Sequence, residues 1–139
     1  MKNIANELTE SHLEVAHDLA DLRRALDNRS DSKSSLKQLN QLEHSLLAHC
    51  LVQERVVAAA SAIVGDTPNE ASRLIGHGVE LLQRLAAIRT RLNEEGPHSE
   101  RIRVDVAALD EEFERSTAAQ WDFLRRYAGV TFTSFGGGG

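Results

Sequence analysis

The chain holds a single cysteine (Cys50), two prolines and only six aromatic residues among 139. One cysteine excludes an internal disulfide and any multi-cysteine zinc or iron–sulfur centre. So few aromatics beside 41% hydrophobic residues suit a bundle of Leu, Val, Ile and Ala better than a sandwich or barrel. No run approaches the ~20 apolar residues of a membrane span. The opening Met1-Lys2-Asn3-Ile4 lacks the apolar stretch of a signal peptide. Basic residues number 16 against 21 acidic, a net charge of −5, without the clustered Lys and Arg of a nucleic-acid footprint. These absences predict one soluble, cytoplasmic, all-helical domain with neither membrane nor nucleic acid as partner.

What is present is period and punctuation. Leu8, Val15, Leu19, Leu22 and Leu26 recur at alternating steps of three and four, the stripe of an amphipathic helix. Ser11 with Glu14 offers a capping box for this first helix, although the stripe reaches back to Ile4. The polar run Asp27 to Ser35 reads as a loop. A second stripe, Leu36, Leu39, Leu42, Leu46, Val57 and Ala60, fades between Ala60 and Gly65. Thr67-Pro68-Asn69-Glu70 combines an N-cap, a proline at the first helical position and a capping-box Glu. The third stripe is Leu74, Leu81, Leu85, Ile88 and Leu92, stopped by Gly96-Pro97. The fourth runs through Ile102, Val106, Leu109, Phe113, Leu124 and Tyr127 to Gly129. The expected architecture is an antiparallel up-down four-helix bundle over 1–129. An extended tail and a disordered glycine end would make up 130–139.

Helical geometry separates the six histidines. At ~100° per residue, His12 falls in the line Leu8–His12–Val15–Leu19, and His49 and Gln53 fall in the line Leu42–Leu46–His49–Gln53–Val57. His17 and His44 point outward, His98 belongs to a loop, and His77 sits at the edge of the third stripe beside Gly78. Ser116 and Gln120 interrupt the fourth stripe. Counting back from the turns brings these interruptions to nearly one height, so they should form a polar layer across the interior. Such a layer is either a satisfied hydrogen-bond network or a ligand or metal pocket of the kind that bundles build on facing helices.

The arrangement resembles the hemerythrin-like (HHE cation-binding) family, over about Glu10 to Tyr127. His12-Leu13-Glu14-Val15-Ala16-His17-Asp18-Leu19 looks like that family's first ligand helix, and His49-Cys50-Leu51-Val52-Gln53-Glu54 like its second motif, with Gln at the carboxylate position. His77 is the candidate third histidine. Ser116-Thr117-Ala118-Ala119-Gln120 aligns with the fourth motif, Ser replacing His and Gln replacing Glu; a register of Thr117 with Asp122 would keep an acidic ligand. The resemblance implies non-haem iron in the bundle core, with O2 or NO bound for sensing, storage or detoxification. In that reading His12, His49 and His77 hold the metal, and Gln53, Gln120 and Ser116 line the bound molecule. Leu46, Val57, Leu81, Phe113 and Leu124 would exclude water.

Glutamine carries no charge and is a poor bridging ligand for a hard cation. A di-iron centre therefore lacks both of its bridging carboxylates, unless Glu54 or Asp122 turns inward from the rim. A metal-free bundle serving as an interaction or small-ligand-binding module is the competing expectation, and a binding protein is favoured over an enzyme. Glu14-x-x-His17 reads as a surface pair, and Cys50 as a small buried hydrophobe.

Overall fold

The computed structural model describes residues 4–28, 31–64 and 68–135, of which 4, 5, 61, 63, 64, 68, 69 and 127–135 are described by backbone alone. The chain forms four helices: α1 (Ile4–Asp27), α2 (Ser32–Val64), α3 (Pro68–Glu95) and α4 (Glu100–Phe135). No strand occurs among the described residues.

Local chemistry explains the boundaries, including two that differ from the expectation. α1 starts at Ile4, so Ser11 is not a cap; its hydroxyl lies mid-helix and donates to Leu8 O at 3.0 Å. α2 begins at Ser32, inside the run expected to be loop. Asp31 is the reason: its Oδ1 accepts the Ser34 amide at 2.8 Å, and its carbonyl accepts Ser35 N, an N-cap that turns the serine cluster into a first turn. Those amide and hydroxyl contacts hold the Asp31 carboxyl below its ordinary pKa. α2 ends at Val64, within the expected interval from Ala60 to Gly65 and after an alanine-rich stretch of high helix propensity. The proposed cap Thr67 lies outside the described residues, while Pro68 opens α3 as expected.

The extended tail is also corrected. Gly129 stays helical, and α4 continues to Phe135, because neither a proline nor a left-handed glycine interrupts it. Gly136 to Gly139 lie outside the described residues. Gly96 behaves differently: with φ +84° and its amide bonded to Leu92 O at 3.0 Å, it ends α3 in the left-handed conformation.

Cross-helix contacts fix an up-down-up-down arrangement. Glu7 meets Arg55 while Ser11 meets His49, so α1 and α2 run oppositely. Arg89–Glu43 and Gln53–Leu74 do the same for α2 and α3. Arg91–Asp105 and Glu70–Arg126 orient α3 against α4, and Arg23–Asp110 with His12–Thr117 orient α4 against α1. α2 and α4 also touch across the centre, whereas α1 and α3 are the separated diagonal among the described residues. No helix among the described residues is long and apolar enough to cross a membrane.

The interior is not one continuous oil drop. A large apolar cluster, from Leu26 and Leu92 to Phe113, fills the end near the α1–α2 and α3–α4 turns. A smaller one, Val57, Ala60, Leu74 and Phe123, fills the far end. Phe123 takes the fully buried position there, and Leu124, expected on the stripe, is only partly covered.

Gly96→Ala should destabilise the fold by about 1 kcal/mol. A Cβ there would meet nothing within 4 Å, so the whole cost is the backbone's. Urea unfolding of the two proteins measures it, and Gly96→Asn should recover part of the loss.

Candidate functional site

Between the two apolar clusters lie the buried polar side chains Ser11, His49, Gln53, Ser116, Thr117 and Gln120. The expected layer exists, with one substitution on α1. Ser11, rather than His12, occupies the inner line between Leu8 and Val15, and His12 is displaced to the edge that faces α4.

His49 is the centre of this layer. It is 3% exposed, its Nδ1 lies 2.7 Å from Ser11 Oγ, and the edge of its ring meets Phe113 at 5.4 Å between centroids. Loss of water around it, and then the nearby His12, push its pKa down to about 4. The imidazole is therefore neutral at pH 7. Ser11 has one hydroxyl proton, which serves either Leu8 O or His49 Nδ1; in the first case the ring donates its own Nδ1–H to Oγ.

His12 stacks flat on the same aromatic residue, 4.8 Å from Phe113 at an interplanar angle of 11°. Its Nδ1 is 3.2 Å from Thr117 Oγ1, and its Nε2 looks outward to Glu114 at 3.9 Å. Thr117 itself donates to Phe113 O at 2.9 Å. Gln53 crosses to α3, donating from Nε2 to Leu74 O at 3.1 Å. Gln120 is 1% exposed and its Nε2 has no protein partner among the described residues. Ser116 faces the other way, into a crevice of about 70 Å³ between α3 and α4 that it shares with His77. There the Nδ1 of His77 is buried without a partner among the described residues.

The donors expected to hold a metal are therefore not convergent. The rings of His12 and His49 are 6.3 Å apart and Phe113 contacts both. His77 opens onto the separate α3–α4 crevice. Among the described residues, no three donors that include any of these histidines come within 4.8 Å of one another, whereas ligands at ~2.0–2.2 Å from one ion must. Glu54 and Asp122 do not rescue the set: both are exposed, and Asp122 pairs with Arg126 at 3.6 Å. The residues present do not fit an iron centre in the interior.

Compared with protein-family models, curated proteins and solved structures, the chain matches none. The site must be read from its own geometry.

Cys50 lies beside His49 but carries no reactive thiolate. Burial pushes its thiol up to about 11, far from the lowered values of nucleophilic cysteines. It lies instead at the close approach of α2 to α3, where a Cβ on Gly78 would come within 3.0 Å of its Sγ. A side chain at that position would require the thiol to give way by a few tenths of an ångström.

Two residues of this layer went unrecognised as members in the sequence. Ser11 sits three after Leu8 and four before Val15, a spacing as good as that of His12, but its place in an apparent capping box disguised it. Thr117 sits four after Phe113 and was weighed only as a ligand. On the outside of α1, His17 pairs with Asp21 at 3.2 Å rather than with Glu14, a helical i, i+4 spacing that the chain states openly.

The neutral His49 makes stability depend on pH. Its folded pKa of about 4 lies below the ordinary histidine value of 6.5, so its contribution is complete above about pH 6.5 and is lost as pH falls towards 4. The loss over that window should reach about 3 kcal/mol. Urea midpoints of parent and His49→Leu between pH 7 and pH 4 measure it: the parent should fall more steeply than the variant.

Proposed function

We propose that this chain is a metal-free four-helix bundle of hemerythrin-like design, working as an interaction module through its outer surface. The observation that carries the reading is the engagement of His49 Nδ1 by Ser11 inside a layer whose other imidazoles point elsewhere. Three pairs in that layer act as interhelical ties. Ser11–His49 joins α1 to α2, Gln53–Leu74 joins α2 to α3, and His12–Thr117 joins α1 to α4. A slip of one helical turn, ~5.4 Å, would break all three, so the layer specifies register.

The interior also has little room. Its α3–α4 crevice of about 70 Å³ falls well short of the ~300 Å³ at which small-molecule pockets begin, which supports a surface-acting module over a metabolite-binding one. Catalysis finds no support either. The thiol is protonated, and His49, the histidine nearest to it, is held to a serine with no carboxylate partner.

The resemblance raises iron with O2 or NO as the other possibility, and a loading experiment separates the two. After anaerobic reconstitution with Fe(II) and desalting, the protein should retain well under 0.1 iron per chain by elemental analysis, a value consistent with adventitious binding. Retention of one or more irons per chain, abolished by His49→Leu, would overturn the proposal and restore the metal centre.

A further inference from the structure

A wide groove of about 940 Å³ lies on the outside of the α1–α2 hairpin. Its α1 wall carries Glu14, His17, Asp18 and Asp21, and its α2 wall carries His44. None of these belongs to the interior layer. Among the described residues, His17, Asp18 and Asp21 form the one set of three His, Cys, Asp or Glu residues whose donor atoms all lie within 4.8 Å of one another.

We propose that this cluster is a surface site for a divalent transition ion of the zinc class. Three features support a built chelate. First, His17 and Asp21 stand one turn apart on a continuous helix, so the backbone holds two donors at the right separation without ordering a loop. Second, the two oxygens of Asp21 are divided between different tasks. Oδ1 is held by Arg24 Nη1 at 3.2 Å, and Oδ2 faces His17 Nε2 at 3.2 Å. The guanidinium orients the carboxylate from behind, as outer partners of metal ligands do, and leaves Oδ2 for the ion. Third, the facing helix brings a second imidazole, His44, into the same groove.

The donor set selects the ion. An imidazole nitrogen with two carboxylates suits Zn(II), Cu(II) or Ni(II), whereas Ca(II) and Mg(II) prefer all-oxygen shells. On binding, the ion takes the Nε2 lone pair, and the neutral ring carries its single N–H on Nδ1. Lys33 and Lys37 share the groove and oppose the ion's charge, while Glu14, Asp18 and Asp21 favour it. His17 is 72% exposed, so coordination positions stay open to water, to His44 or to a side chain from a docking protein.

This site shares no residue with the interior layer and does not depend on the metal-free reading of the core. Isothermal titration of the full chain with Zn(II) chloride tests it. The expected result is one saturable Zn(II) per chain, weakened at least tenfold by His17→Ala and by Asp21→Asn, and unchanged by His49→Leu. Both surface variants remove groups outside the core, so their helical circular dichroism should match the parent's. No saturable binding would overturn the proposal. So would equal affinity in the His17→Ala and Asp21→Asn proteins, or binding lost only in His49→Leu.

Discussion

A neutral imidazole held by a serine hydroxyl deep inside the bundle is the interaction on which the rest depends. Burying a polar ring without a partner costs ~1–3 kcal/mol. The bond from Ser11 to His49 removes that cost and binds α1 to α2 at one height. Once that height is set, Gln53 reaches the α3 carbonyl of Leu74 and Thr117 reaches His12. The apolar clusters above and below supply most of the burial free energy, but Leu, Val and Ile side chains tolerate sliding. Directional bonds do not.

The same bonds aim the interior imidazoles at partners on different helices. A coordinating histidine needs a lone pair aimed at a point shared with other donors. Here His12 turns toward α4 and His77 opens into its own crevice. Phe113 packs flat against the His12 ring and at a steep angle to the His49 ring. Gln53 and Gln120 are buried as uncharged amides, which can join a hydrogen-bond layer but cannot offset the charge of a buried ion.

Most of the fold is legible in the chain because hydrophobic period is a local property. The four stripes, the Pro68 start and the Gly96 stop all follow from near neighbours. What escaped had competing local meanings. The serines after Asp31 can form either a loop or a capped first turn, and the cap chose the latter. Gly129 can end a helix or sit within one, and no positive φ is used there. Within the site, burial of His49, Gln53, Ser116 and Gln120 followed from the stripe, and so did the outward placement of His17 and His44. The direction of each ring did not follow, because side-chain torsions answer to neighbours on other helices. Ser11 displaced His12 from the inner line for that reason: a small hydroxyl fits the tight α1–α2 contact, and a larger ring fits the α1–α4 edge.

The outward cluster on α1 illustrates the reverse case. His17 and Asp21 were readable as a pair from spacing alone, yet the groove that gives them a setting exists only once α2 lies alongside. Inside, polar groups are consumed in holding helices to one another; outside, comparable groups remain open to solvent and to other molecules.

Nitrogen-detected NMR titration of the histidine rings tests the central claim most directly. If His49 is a buried neutral ring held by Ser11, its resonances should stay in the neutral pattern through pH 5 and shift with a midpoint near 4. A midpoint at or above the ordinary ~6.5 would mean a ring exposed to water or paired with an acid, and would contradict the account.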